Sequence, residues 1–205
     1  QEILWWSPDP RMVLRPSDIH ISRSLRRTLR NKDWLIRYDT DFTSVIHCCA
    51  KTRQRESTVA DTWITGEMLQ AYTALHNLGI AHSIEVFSGG LLVGGLYGLL
   101  IGNVFFGESM FHKETDASKA AFTALAKLCV DYGVEVIDCQ VYNPHLESLG
   151  ATLMSRQDFE KALRDAIKQP MASILNNPHC LLPITPKALD VRMQGQVPRE
   201  MRSLL

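Results

Sequence analysis

The chain has 205 residues, 45 % hydrophobic and 21 % charged, and its 22 basic and 22 acidic side chains cancel to a formal charge of zero. That length and balance suit one folded domain, with or without an appendage, and exclude a disordered polyelectrolyte. No apolar run reaches the roughly eighteen residues of a spanning helix, so no membrane partner is expected.

The opening Gln1-Glu2-Ile3-Leu4-Trp5-Trp6 lacks the charged and apolar regions of a secretion signal and reads as a segment cut from something longer. Ser7-Pro8-Asp9-Pro10 predicts a turn and Ile19-His20-Ile21 a short extended piece, after which Ser22 caps a basic helix reaching about Arg30. Trp34 to Tyr38 alternates as a strand does, and Asp41 is placed to cap a helix through Val45, Ile46 and Cys49. Lys51 to Ala60 predicts a polar loop, a basic hairpin with Lys51, Arg53 and Arg55. Met68, Leu69, Tyr72, Leu75 and Leu78 lie at helical spacing in a helix over 65–78 that Gly79 ends. Three consecutive strands follow over 82–87, 91–100 and 103–111, joined by Ser88-Gly89-Gly90 and Ile101-Gly102-Asn103 turns. A strong helix is predicted over 117–132, a strand over 134–141, and two further helices near 144–149 and 157–168. The last 36 residues hold five of the nine prolines and predict an irregular tail.

Two features carry chemistry. Asp138 and Gln140 stand two apart on the last strand and share a face, while Ile137, Cys139 and Val141 look the other way. Glu108 sits among Phe105, Phe106, Ser109, Met110 and Phe111 on an earlier strand. A carboxylate on such a strand needs a partner or a task, because burying it unpaired is costly. Asp138 can align Gln140 and stabilise positive charge, with the Gln140 carbonyl accepting from an attacking amine; the lesser alternative is a satisfied buried hydrogen-bond pair. Gly94, Gly95 and Gly98 inside an apolar strand mark either a close helix or sheet contact or a ligand against the backbone.

From Arg11 to Arg37 there are eight Lys/Arg and two acids, which fits a phosphate-binding face or a solvated helix surface. Cys48, Cys49, Cys129, Cys139 and Cys180 are odd in number and scattered, which argues for a reducing compartment and against a disulfide framework. With no Cys-x-x-Cys and no His-Glu-x-x-His, no metal site is expected, and no nucleotide-phosphate motif occurs.

A series of colinear motifs carries a resemblance. It begins with Leu4-Trp5-Trp6-Ser7-Pro8-Asp9-Pro10-Arg11, His20-Ile21-Ser22-Arg23-Ser24 and Thr62-Trp63-Ile64. It continues through Ala71-Tyr72, Leu75-His76, Gly79-Ile80-Ala81-His82-Ser83-Ile84-Glu85 and Val93-Gly94-Gly95-Leu96-Tyr97-Gly98. Phe106-Gly107-Glu108-Ser109-Met110-Phe111, Ala117-Ser118-Lys119, Ile137-Asp138-Cys139-Gln140 and Ser148-Leu149-Gly150-Ala151 complete it. Over about residues 3–160 the chain resembles leucyl/phenylalanyl-tRNA–protein transferase.

The resemblance implies an α+β, GNAT-like (acyl-CoA N-acyltransferase-like) mixed sheet flanked by helices. It implies transfer of Leu, Phe or Met from aminoacyl-tRNA to the N-terminal Lys or Arg of acceptor proteins, marking them for degradation, with no cofactor. By the family's pattern Asp138 and Gln140 assist the amine, and Glu108 holds the basic acceptor. Phe105 then walls the aminoacyl pocket together with Phe106, Ser109, Met110, Ile137 and Leu125. Trp63 lies near the terminal adenosine, and Arg23, Arg26, Arg27 and Arg30 meet tRNA phosphates. Three regions are implied: a partial N-terminal region with the tRNA-facing helix (1–60), a GNAT-like catalytic domain (61–169) and a Pro-rich tail (170–205). A cytoplasmic monomer is expected.

The match departs in three places. Family members carry a segment ahead of the Trp-Trp motif that adds aromatic surface to the donor site, and this sequence opens after it. Leu125 and Cys129 stand where larger aromatics are familiar, and the tail after about Cys180 does not match, which implies either a pocket reshaped for another donor or acceptor or a short paralogue with reduced activity. Two other functions fit the residues: an acyl-CoA-dependent N-acyltransferase, although no Gln/Arg-x-x-Gly-x-Gly/Ala run is found, and a non-catalytic short paralogue binding tRNA or protein N-termini.

Overall fold

A computed structural model describes residues 7–56 and 64–168, with the side chains of 53–56 excepted. The expectations for Trp5, Trp6, Trp63, Cys180 and the Pro-rich tail lie outside the described residues.

Short polar caps start the helices. Ser22 Oγ accepts from Leu25 N–H (3.2 Å) at the head of α1 (Arg23–Asn31), which buries Leu25 and Leu29 one turn apart. Asp41 Oδ1 accepts from Ser44 N–H (3.2 Å) where α2 (Phe42–Glu56) begins. Thr65 caps α3 (Gly66–Asn77), and Ser155 caps α6 (Arg156–Ala166). The longest apolar helix, α4 (Ala117–Tyr132), ends at Gly133, whose φ of 78° is the left-handed value a helix stop requires. The short α5 (Pro144–Glu147) completes the helices.

Seven strands are described: β1 (Arg11–Leu14), β2 (Trp34–Tyr38), β3 (Ala81–Ser88), β4 (Leu91–Ile101), β5 (Val104–His112), β6 (Val136–Gln140) and β7 (Thr152–Met154). They form one mixed sheet in the order β2-β3-β4-β5-β6-β1-β7, flanked by helices in an α+β architecture. The pair β5–β6 is parallel and the other pairs are antiparallel; α4 supplies the crossover that a parallel pair needs. On one face α1 and α4 cover Ile84, Val86, Leu96, Leu100, Phe105 and Ile137. On the other, α2 and α3 cover Ala81, Tyr97 and Phe111.

The glycine alternatives resolve to close packing. A Cβ on Gly94 would stand 2.5 Å from the Ala117 Cβ, so α4 rests directly on β4 there. At Gly98 it would stand 2.6 Å from the Phe105 ring, and at Gly95 2.6 Å from the Ile84 carbonyl. Protein atoms, not a ligand, occupy the space these glycines leave.

Several local expectations need correcting. Lys51–Glu56 continues α2 where a polar loop was expected, because Lys, Arg, Gln and Glu are good helix formers. Ile19–Ile21 joins no strand, whereas β1 and β7, of four and three residues, were not foreseen. Strands from before and after residues 57–63 share one sheet: β1 lies between β6 and β7, and β2 pairs with β3.

Candidate functional site

The site begins with one extra residue. Tyr97 is opposite Ser109 and Gly98 opposite Gly107, which leaves Glu108 as an unpaired bulge on β5. A bulge reverses the alternation of a strand. Phe105 accordingly packs with the α4 cluster, and Phe111, six residues on, packs with the α2–α3 cluster. The bulge also re-aims Glu108 toward the neighbouring β6.

The parallel ladder runs only from Val104↔Val136 to Phe106↔Asp138. Beyond it Gln140 turns into a left-handed conformation (φ 65°), the strands part, and a cavity of about 120 Å³ opens between them. Leu96, Phe105, Met110, Phe122, Leu125, Ile137 and Leu146 form its apolar side, and Glu108, Ser109, Asp138, Gln140 and Asn143 its polar side. Ile137 and Cys139 face α4 as the alternation predicts, and burial pushes the Cys139 thiol up to about 12, so it is no nucleophile at neutral pH.

Asp138 is fully buried, and the guanidinium of Arg11 grips it with two bonds, Nε to Oδ1 at 3.0 Å and Nη2 to Oδ2 at 2.7 Å. Oδ1 also accepts the backbone N–H of Gln140 (2.9 Å). The Arg11 guanidinium lies over the Phe159 ring of α6, 4.7 Å from its centroid. Asp138 therefore meets its positive charge in Arg11 and aligns Gln140 through the main chain.

Gln140 Nε2 donates across the gap to the Gly107 carbonyl (2.8 Å). Its side-chain amide also hydrogen-bonds Glu108, as does the Tyr72 hydroxyl from α3. With its N–H groups used this way, the Gln140 carbonyl is the part left to accept from a bound molecule. Burial holds the Glu108 carboxyl above the usual carboxylate range; the hydrogen bonds from Tyr72 and Gln140 pull it down, the Asp138 charge raises it and Arg11 lowers it. Ser109 Oγ is buried at the cavity wall without a hydrogen-bond partner among the described residues.

Of the expected pocket residues, Phe105, Ser109, Met110, Ile137 and Leu125 line the cavity together with Asp138, Gln140 and Glu108. Phe106 does not: it precedes the bulge, one residue after Phe105, and faces the opposite way. Arg23, Arg27 and Arg30 are exposed on α1, away from the cavity lining, and half-buried Arg26 donates from Nε to the Ile21 carbonyl (3.2 Å). Arg11, Tyr72 and Phe122 were missed as site residues. Arg11 read as one more member of a basic run and Tyr72 as a core position at helical spacing; their partners lie far along the chain. Among the described residues no group of three or more His, Cys, Asp or Glu is placed to hold a metal, and no helix is long and apolar enough to cross a membrane.

Fold and site together define an α+β protein with a half-apolar cavity where the parallel pair among the described strands parts. The chain belongs to the leucyl/phenylalanyl-tRNA protein transferase family, whose sequence profile matches residues 13–164, as the motifs led one to expect. It is 55 % identical over 168 residues to a leucyl/phenylalanyl-tRNA–protein transferase of Hahella chejuensis, covering 82 % of this chain and 70 % of that one. With the Pseudomonas fluorescens protein of the same name the identity is 52 % over 171 residues, covering 83 % and 74 %. A solved aminoglycoside acetyltransferase from a soil metagenomic sample superposes with a TM-score of 0.42 at 15 % identity, covering 66 % of this chain and 87 % of that one. A likeness that weak decides nothing about fold family.

Proposed function

We propose that the protein transfers Leu, Phe or Met from aminoacyl-tRNA to the N-terminal Lys or Arg of acceptor proteins, tagging them for degradation. The observation that carries this reading is the cavity itself, where an apolar side-chain pocket adjoins the Gln140 carbonyl and the Glu108 carboxylate. The aminoacyl side chain enters between Phe105, Met110, Leu125 and Ile137. A pocket of this kind separates apolar side chains by size only modestly, which suits a donor set of several.

The reacting ester is already activated, so the site has chiefly to align an amine with it and manage a proton. The acceptor amine attacks the ester carbonyl, forming the C–N bond, and the C–O bond to the terminal ribose breaks. The amine gives up a proton and the departing ribose oxygen takes one. The Gln140 carbonyl accepts a hydrogen bond from the attacking N–H and aims the nitrogen. Ionised Glu108 holds the cationic side chain of the acceptor's first residue. The exposed arginines of α1 meet tRNA phosphates and position without reading sequence.

The sheet is proposed to be GNAT-like, which its mixed pairing and the parting of β5 from β6 support. The three regions at 1–60, 61–169 and 170–205 are proposed as functional divisions. The protein is proposed to act as a monomer in the cytoplasm.

The deciding experiment is a transfer assay with leucyl-, phenylalanyl- and methionyl-tRNA and peptides beginning with Lys, Arg, Asp or Glu, with acetyl-CoA as a separate donor. Extension of the Lys and Arg peptides from charged tRNA is expected. Tight tRNA binding without extension on any pairing would make the protein a binding module, and extension from acetyl-CoA alone would make it an acyl-CoA enzyme.

A further inference from the structure

We propose that Arg11 is a positioning residue for the transfer: its guanidinium locks the Asp138 carboxylate in the one orientation that holds the Gln140 backbone in its left-handed turn, and so sets the aim of the Gln140 carbonyl. The inference rests on the functional reading above and goes beyond it.

The geometry builds in four contacts. Gln140 has a φ of 65°, a conformation L-residues with a side chain disfavour, so something has to hold it. Its two holds are the N–H bond to Asp138 Oδ1 (2.9 Å) and the side-chain bond to the Gly107 carbonyl (2.8 Å). Asp138 keeps its place because Arg11 binds both of its oxygens, a fork-to-fork match that fixes direction as well as charge. Arg11 in turn keeps its place because Phe159 stacks on the guanidinium at 4.7 Å, leaving the side chain only 14 % exposed. Without the guanidinium, Asp138 would be a fully buried carboxylate holding one hydrogen bond. Such a group turns toward water or takes up a proton, and either change loosens the turn at Gln140.

The test compares R11M, R11K, D138N and R11M/D138N in single-turnover transfer from leucyl-tRNA to a peptide beginning with Lys. R11M is expected to lose about 10²-fold in kcat, the cost of an ångström-scale misplacement, with tRNA affinity by filter binding unchanged. R11K, which keeps the charge and loses the fork, falls between R11M and wild type. The double variant is no slower than D138N, because Arg11 acts through Asp138. The acid limb of the R11M rate profile moves to higher pH, since a cation that lowers the Glu108 carboxyl is gone; the readout that a purely structural ion pair would not give is the loss of kcat with tRNA affinity and the rest of the fold unchanged. If R11M does not fold, R11K and the charge-free double variant carry the comparison.

Wild-type kcat in R11M, tRNA affinity falling in step with kcat, or multiplying losses in the double variant would each overturn the proposal. If the wild type transfers nothing on any pairing, the functional reading fails, while Arg11 is still judged by hydrogen exchange. The Gln140 amide is then expected to exchange roughly tenfold faster in R11K than in wild type, with the amides of α4 unchanged; equal protection overturns the positioning role.

Discussion

Two carboxylate clusters lie buried on this sheet, and the one between β5 and β6 lines the cavity described above. On β3, fully buried Glu85 accepts from Thr40 N–H (3.2 Å), Thr40 Oγ1 (2.9 Å) and Ser83 Oγ (2.5 Å). Beside it Asp39 accepts from Ser83 N–H (2.7 Å) and pairs with His82 Nδ1 (2.6 Å), so every acceptor there meets a protein group. At the parting of β5 and β6, Asp138 is equally buried and equally well paired, yet Glu108 is only half-buried and Ser109 Oγ has no partner among the described residues. Burial of an acid is therefore no mark of a site. The mark is polar capacity left over beside an apolar void.

Four changes sharpen the contrast. Asp138→Asn is expected to cost about 10²-fold in kcat, measured in single turnovers, with tRNA affinity retained, because Asn meets the Arg11 fork with an amide that cannot satisfy it. Glu85→Leu is expected to leave kcat unchanged and to lower stability by roughly 2 kcal/mol in urea melts, since the donors from Thr40 and Ser83 lose their acceptor. Ser109→Ala is expected to raise KM for charged tRNA about 3–10-fold, the worth of one neutral hydrogen bond to the bound donor. Arg27→Ala, the mildest, is expected to lower the slope of log affinity against log salt by about 1 with kcat intact.

A pH measurement separates the clusters further. Burial raises the Glu85 carboxyl above its ordinary 4.5, so the folded chain keeps this proton to higher pH than the unfolded chain does. Stability contributed here is present at low pH, falls as pH rises from 4.5 through the raised folded value, and levels off above it. Glu85→Gln is expected to flatten that part of the stability profile and to leave the acid limb of the transfer rate untouched. Glu108→Gln is expected to do the reverse to the rate, removing the limb.

Much of this was legible in the chain because it is local. Alternation gave β2 to the residue, the Ser22 and Asp41 caps gave the starts of α1 and α2, helical spacing gave α3, and the Asp138–Gln140 pairing followed from a two-residue period. What stayed hidden depends on residues far apart. Arg11 and Asp138 meet across 127 positions, and no local pattern announces a four-residue strand slotted between two others. The bulge at Glu108 was equally invisible. It is defined by the partner strand, and with it went the true facing of Phe111 relative to Phe105.

The placement of β1 has a consequence in time. Arg11 is made early, but the strand on its outer side is 152–154 and the ring over its guanidinium is Phe159. A nascent chain that has just exposed Gln140 thus has both members of the ion pair and neither of the pieces that shield it. Closure has to wait for the far end of the described fold, and contacts of such long range form slowly. Synthesis itself thereby keeps the candidate site incomplete until nearly the whole sheet has left the ribosome.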